Sequence, residues 1–339
     1  MFHLRSTDTS TQILRRIASG AALIALAATS ALTSSAASSQ TFPSKPVKLV
    51  VPYPAGGFPD TVARVMAKAL TEKWNQQVII DNRPGGNGAV AAQTVKASPA
   101  DGYTLLVTDG SMFTINPVLY SKLEYDPKKD FVPVSALAKA PLFLTAHPSV
   151  PATTFAEFAA YVKANPGVVN YGSSGIGSTH HLTTEAMSSA LGMKMVHVPF
   201  KGMGQAVPAL VGGQIQVLFS ALPATVGFVK DNRLKLLVQN SGKRFSGAPT
   251  IPTIGESGVP GFDFAPTTII MAPSGTPPAV LRQLSLDAAA AARSTSVAET
   301  LLNSGVEVIG STSEELAKVL HDEAERFAKI IKTINIKAE

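Results

Sequence analysis

Residues 48–60 read Lys48-Leu49-Val50-Val51-Pro52-Tyr53-Pro54-Ala55-Gly56-Gly57-Phe58-Pro59-Asp60. The short apolar run at 48–51 has the pattern of a buried strand, and Pro52 and Pro54 stop it. Two glycines turn the chain. From Asp60 to Trp74, Val62, Ala63, Val65, Met66, Ala69 and Leu70 fall on one stripe, which predicts a helix. The same unit follows again: a strand at 77–80, a glycine turn at 85–88, a helix at 89–97 and a strand at 103–108. Strands alternating with helices at this spacing predict a parallel sheet with right-handed crossovers.

Downstream, 132–146 is rich in strand formers and contains Pro133 and Pro141. It reads as one long strand passing from one domain to another. A second α/β series follows: a helix at 155–164 stopped by Asn165-Pro166-Gly167, a strand at 168–171, a loop at 172–178 and a helix at 179–191. Strands are expected at 195–200, 214–219, 234–238 and 268–271. Helices are expected at 206–211, 278–293, 296–303 and 313–333. Both series present a glycine-rich loop at the carboxyl ends of their strands, where open α/β sheets bind ligands.

The chain has 339 residues, 45% hydrophobic and 15% charged, which excludes a wholly disordered chain and a coiled coil. Lys+Arg is 29 against 23 Asp+Glu, and part of that excess, Arg5, Arg15 and Arg16 against Asp8, lies at the front. So dilute a charge, without a basic run longer than two, argues against a nucleic-acid partner. The chain has no cysteine, which excludes disulfides and thiolate chemistry. Arg15-Arg16, the apolar run 17–32 and the small residues after it read as a signal peptide over 1–38, cut between Ala36 and Gln40. The run is too short and too rich in Ser and Thr to be a good membrane span of ~20 residues. The residues around the arginine pair match the twin-arginine signal poorly, so the general route is favoured. The expected location is the periplasm.

Asp60 is placed to cap its helix, to pair with Arg64 four residues on, and to take a pocket role. In the loop 172–178 the glycines stand at 172, 175 and 177, the wrong order for a dinucleotide fingerprint. No Lys-Ser/Thr pair follows for a P-loop, and the serines lack nucleophile-elbow spacing. What remains is hydroxyls and free N–H groups at a helix start, suited to a carboxylate or phosphate oxygen. His181 and Glu185 are one turn apart, but no third metal ligand stands at a recognisable spacing, so His181 is read as a structural histidine and no metal is expected. No Ser/His/Asp or paired-carboxylate arrangement appears, so the reading is a binding protein without cofactor rather than an enzyme. Lys201 is a candidate contact for an anion.

Several blocks then fall together. Val50-Val51-Pro52-Tyr53-Pro54-Ala55-Gly56-Gly57 with Asp60, Ala63 and Arg64 resembles the opening motif of the substrate-binding proteins of tripartite tricarboxylate transporters, the Bug receptors. Asp81-Asn82-Arg83-Pro84-Gly85-Gly86, Asp101-Gly102-Tyr103-Thr104-Leu105-Leu106, the stretch 172–182 with Glu185, and Val198-Pro199-Phe200-Lys201-Gly202 with 210–214 match further family blocks in order. The resemblance runs from about Phe42 to the C-terminus. It implies an α/β, two-lobed Venus-flytrap of the type II periplasmic-binding kind with two interlobe crossovers, lobe 1 holding 42–140 plus 242–339 and lobe 2 holding 141–241. It implies a monomeric receptor that delivers an organic carboxylate to membrane permease subunits. By resemblance the pocket positions are Tyr53, Ala55, Gly57 and Asp60 in the first lobe, with Ser111 after the third strand, and Ser174, Gly175, Gly177 and Ser178 in the second.

Three places depart from the family pattern. Phe58 and Pro59 replace smaller, polar residues; Met203-Gly204 replaces a polar stretch; and Ser220 stands where many members have Asp. A cleft without that carboxylate lacks a partner for a ligand amine, or a repulsive charge against a second ligand carboxylate. Phe58 and Met203 facing the cleft would add apolar surface. The expected ligand is therefore a non-amino carboxylate with an apolar body, either aromatic, of the terephthalate or phthalate kind, or a medium-chain dicarboxylate. Two other classes compete: a ligand-sensing partner of a signalling receptor, and an exported enzyme acting on small acids.

Overall fold

A computed structural model describes residues 42–334. The signal-peptide reading lies outside the described residues. The strands are β1 (Val47–Val51), β2 (Val78–Asn82), β3 (Thr104–Asp109), β4 (Phe131–Lys139), β5 (Leu142–Ala146), β6 (Asn170–Ser173), β7 (Val196–Pro199), β8 (Val217–Ala221), β9 (Lys235–Gln239), β10 (Thr267–Pro273) and β11 (Glu307–Val308). The helices are α1 (Phe58–Trp74), α2 (Ala89–Lys96), α3 (Ser111–Thr114), α4 (Asn116–Leu119), α5 (Phe155–Ala164), α6 (Thr179–Leu191), α7 (Met203–Val211), α8 (Leu222–Lys230), α9 (Pro278–Ala292), α10 (Thr295–Asn303) and α11 (Ser313–Ile334). Among the described residues, no helix is long and apolar enough to cross a membrane.

The strands form two sheets, ordered β11-β4-β10-β3-β1-β2 and β7-β6-β8-β5-β9. β2, β1 and β3 are parallel, as are β7, β6 and β8. The parallel sheet expected for the first series is present as β2-β1-β3, and each sheet also takes in antiparallel strands. β10 runs antiparallel to β3 and β4, and β5 antiparallel to β8 and β9. The reversal has a topological cause: β5 and β10 are the strands that follow the two crossings between sheets, so each enters its sheet from the opposite end. The expected single strand over 132–146 is two strands in two sheets, parted at Ala140-Pro141. Proline has no N–H for a ladder, and the Ala140 N–H donates to Pro266 O of the returning crossing at 2.9 Å.

Asn240 fastens the crossings to each other. Fully buried, its Oδ1 accepts from Leu142 N at 2.8 Å and its Nδ2 donates to Phe264 O at 2.9 Å. Its backbone N–H donates to Leu142 O and its carbonyl accepts from Phe264 N. One side chain thus bonds both crossings.

The first lobe packs Val50, Leu106, Met112, Phe113, Phe131, Ile269 and Leu316 into one core. The second packs Phe158, Tyr171, Leu182, Met187, Phe219 and Val238. Phe327 and Ile331 of α11 belong to that second core, as do Ile115 and Leu119, while Leu316 at the start of α11 belongs to the first. The C-terminal helix, expected with the first lobe, therefore packs on both. Helix α8 and the short β11, α3 and α4 were not legible in the sequence, and α7 starts at Met203 rather than 206.

Candidate functional site

The carboxyl ends of the two parallel strand groups face one cleft of about 670 Å³, within the usual range for small-ligand pockets. The first wall is Pro52, Tyr53, Phe58, Pro59, 84–88, Asp109, Ser111, Asn116 and Leu119; the second is 174–180 with Ala221; Ala140, Leu142 and Pro266 of the crossings close the back. A larger concavity, about 1060 Å³, lies between the 113–133 segment and α11. The cleft is the better candidate because loops from both lobes converge there and helix starts point into it.

The first wall is shaped by Asp60, which sits in the first turn of α1 and is buried. Its Oδ2 accepts from Gly56 N and from Arg64 Nε, both at 2.8 Å, and its Oδ1 accepts from Asn82 Nδ2 at 2.8 Å. Asn82 Nδ2 also donates to Tyr53 O at 3.0 Å, and Arg64 Nη2 donates to Asn82 Oδ1 at 3.1 Å. Burial by itself would raise the Asp60 pKa, but the bonds from Arg64, Asn82 and Gly56 outweigh it and hold it below the ordinary carboxylate value. Asp60 therefore does not face the cleft; it positions the loop that does. Asn82, quoted above only as part of a family block, is the second half of that clip.

Tyr53 reaches across to the end of β3 and donates its hydroxyl to Asp109 Oδ2. Asp109 Oδ1 accepts the Ser111 hydroxyl and, at 2.9 Å, the Ser111 backbone N–H. Burial, then the Asp109 charge and its hydrogen bond, push the Tyr53 pKa well above its ordinary value. Asp109 is a carboxylate in the cleft that sequence reasoning missed. It stands at a strand end directly before Gly110, a place where Asp usually signals only a turn.

The second wall is the start of α6. Ser178 caps it, its hydroxyl accepting from His181 N at 3.3 Å. The His181 ring accepts the Gly177 N–H at Nδ1, 3.1 Å, and stacks on His197 at 3.9 Å between centroids, with Tyr171 beyond. Tyr171 in turn donates to Glu185. His181 and Glu185 thus each carry a structural bond. Ser174 Oγ and His180 Nδ1 share a hydrogen bond of 2.9 Å. Burial lowers the pKa of both His180 and His181 to about 4, so both are neutral at pH 7. Among the described residues, nothing accepts the backbone N–H groups of Thr179 and His180, the first two of α6. Helix-start N–H groups with the helix dipole behind them attract an anion.

Gly177 joins the two walls. It lies in the left-handed region at φ +75°, and a Cβ there would come within 2.6 Å of Leu119 Cδ1 across the cleft. Gly172 is needed for another reason: its Cβ would meet Ile215 Cδ1 at 2.5 Å.

Of the expected pocket residues, Tyr53, Phe58, Ser111, Ser174, Gly175, Gly177 and Ser178 line the cleft. Ala55 and Gly57 belong to the same loop but are outside the lining, as is Asp60. Lys201 is exposed beyond it. Ser220 is fully buried, its hydroxyl 3.1 Å from that of Thr145 and 3.3 Å from that of Thr225. Met203 packs against the small core beneath α7 and not into the cleft. The non-amino expectation therefore loses its ground: Ser220 is off the cleft, and a carboxylate, Asp109, is in it.

Residues 62–336 match the model of the tripartite tricarboxylate transporter family receptor. The chain is 32% identical to protein BugT of Bordetella pertussis, over 88% of this chain and 92% of that one. It is similar to the solved structure of Rhodopseudomonas palustris Rpa4515 with adipate, at TM-score 0.76 and 34% identity, covering 87% of this chain and 99% of that one. It is also similar to MatC of Rhodopseudomonas palustris with bound malate, at TM-score 0.70 and 31% identity, covering 86% and 100%. With two lobes, a cleft at their strand ends and a family match over most of its length, the chain belongs to the tripartite tricarboxylate transporter receptor family of solute-binding proteins.

Proposed function

We propose that this protein is a periplasmic receptor that takes up an organic carboxylate between its lobes and presents it, as a monomer, to the permease subunits of a tripartite tricarboxylate transporter. The observation that carries the reading is the start of α6, where unpaired N–H groups of Thr179 and His180 face the cleft beside Ser174 and Ser178. A carboxylate there accepts backbone and hydroxyl hydrogen bonds at a positive helix end, each contributing about 1.5–3 kcal/mol before ordering costs. A micromolar dissociation constant needs about −8 kcal/mol, which a few such bonds and one apolar contact supply.

Phe58 and Ile176 line the cleft and are apolar. They favour a ligand with an apolar body, of aromatic or medium-chain size. The relatives solved with adipate and with malate support an organic acid, and the adipate one also a medium-chain body. Binding works by biasing an open–closed equilibrium: a ligand touching both walls is held best when the walls meet. Asp60 is held in its clip and His180 Nδ1 shares its hydrogen bond with Ser174, arrangements that suit holding the walls for capture.

A thermal-shift panel tests the reading, with terephthalate, phthalate, benzoate, adipate, succinate, citrate, glutamate and nicotinate as probes. A ligand at 100 times its dissociation constant adds about 2.7 kcal/mol, a shift of several degrees. A shift with one or more acids that is weakened in Ser174→Ala is expected. No shift with any acid would overturn the carboxylate reading.

A further inference from the structure

The two walls of the cleft differ in hydrogen-bond character. The second offers donors, the free N–H groups at the start of α6. The first offers acceptors. Asp109 takes the hydroxyl protons of both Tyr53 and Ser111, so those oxygens turn lone pairs, not protons, toward a ligand. Asp109 Oδ1 already accepts twice from Ser111, while Oδ2 accepts once from Tyr53 and keeps capacity for another donor. Among the described residues, no basic side chain forms an ion pair with Asp109. Behind the same turn stands a second acid: a Cβ on Gly110 would lie 3.4 Å from Glu323 Oε2. Asp109 makes this wall acceptor-rich with no cation bonded to it, whereas burial pushes Glu323 behind it up to about 7, with Arg326 and Lys139 opposing.

We propose that Asp109 makes this cleft select carboxylates whose far end carries a hydrogen-bond donor, an ammonium or a hydroxyl, and discriminate against a second ionised carboxylate. This rests on the reading of α6 as the carboxylate anchor. A ligand spanning the cleft puts its far end against the Tyr53–Asp109–Ser111 group. A donor there completes the open position on Asp109 Oδ2. A second carboxylate meets like charge with no proton available from either hydroxyl, a built-in repulsion against the wrong ligand. The dicarboxylate half of the sequence-based expectation is thereby narrowed, and the apolar body stays.

Calorimetry on the whole protein tests this with two matched series. One is adipate, ε-aminocaproate and ε-hydroxycaproate; the other is terephthalate, para-(aminomethyl)benzoate and para-(hydroxymethyl)benzoate. Within at least one series the donor-ended acid is expected to bind about 10- to 100-fold tighter than the diacid, the range of one charge-assisted hydrogen bond. Asp109→Asn, of the same shape, is expected to close that gap by strengthening the diacid and weakening the amine. The wild-type ranking stands as a test even if the variant folds poorly. A diacid that binds as tightly as its donor-ended partner in both series overturns the proposal and leaves the carboxylate reading intact. So does an unchanged ratio in folded Asp109→Asn. Hexanediol, which lacks the carboxylate, separates the two ideas: if it binds as well as ε-hydroxycaproate, or if no acid binds, the anchor reading fails and the proposal with it.

Discussion

Replacing Gly177 by Ala tests whether the walls meet in the liganded state. Two costs follow from the structure, and they act on different quantities. Gly177 has φ +75°. A residue with a Cβ there costs about 1–2 kcal/mol, in the open and closed forms alike. That cost lowers stability without touching affinity. The second cost belongs to closure: the new methyl would sit 2.6 Å from Leu119 Cδ1. Leu119 is buried among second-lobe residues, so it must twist away from its rotamer, for about 0.5–1.5 kcal/mol. On the premise that ligand binding keeps this contact and the open form releases it, the dissociation constant should rise roughly 2- to 12-fold. The assay is calorimetric titration of Gly177→Ala, Leu119→Ala and the double variant with whichever acid the panel selects, alongside urea unfolding. The double variant should recover the affinity lost in Gly177→Ala but not the stability. An affinity within twofold of wild type in a folded, destabilised Gly177→Ala would refute the reasoning, because Leu119 and the 175–178 loop would then not approach in the closed form.

Three further outcomes are expected. Asn240→Ala leaves Leu142 N–H and Phe264 C=O buried without partners and should lower stability by about 2–4 kcal/mol in denaturant titration, while Asn240→Asp should restore only the bond to Leu142 N. Asp60→Ala releases the loop 53–57 from Gly56, Arg64 and Asn82; stability should fall by about 2–3 kcal/mol and affinity with it, with Arg64→Ala milder because Asn82 still holds the carboxylate. Glu323 is raised to about 7 by its burial, with Asp263 and Asp109 adding and Arg326 and Lys139 opposing. The folded form therefore binds this proton more tightly than the unfolded one, and stability falls as pH rises from about 4.5 through 7. The span has a ceiling of about 3 kcal/mol, discounted to about 2 because the side chain is only partly buried. His180 and His181 act in the opposite sense, losing stability as pH falls from about 6.5 through 4, so the term is read as Glu323→Gln minus wild type. That difference curve should rise by this amount between pH 5 and 8; a flat one would show that Glu323 is ionised throughout.

Local signals made most elements legible. The apolar run 49–51 at β1 and the stripe on α1 place both near their observed bounds, because period and breakers are properties of short windows. The mixed direction of the sheets was not legible. It depends on which end of a sheet the chain enters after leaving the other lobe, and nothing within β5 or β10 records that. Helix α8 carries Gly227 and two valines, and its propensity argues against a helix that packing supplies.

The site was legible as loops and not as faces. Residues 174–178 and Tyr53 were found because glycine and hydroxyl clusters at strand ends mark a ligand edge whatever their orientation. Asp60, Ser220 and Asp109 show where that logic stops. All three are short polar residues at the end of a strand or the start of a helix. Asp60 is turned inward by three donors that come from residues 56, 64 and 82, and only the last is outside its own loop and helix. Ser220 is turned into the sheet by Thr145, 75 residues away in sequence, and by Thr225. Asp109 is turned toward the cleft by Tyr53, 56 residues earlier. In each case at least one deciding partner is one that only the fold brings near: Asn82, Thr145 and Tyr53. Where a cleft of two walls is built from such residues, the charge it shows a ligand cannot be summed from the polar residues in its loops. It is what remains after each has met its partner: Asp60 contributes no exposed acid, Ser220 no hydroxyl, and Asp109, which no motif singled out, contributes the charge.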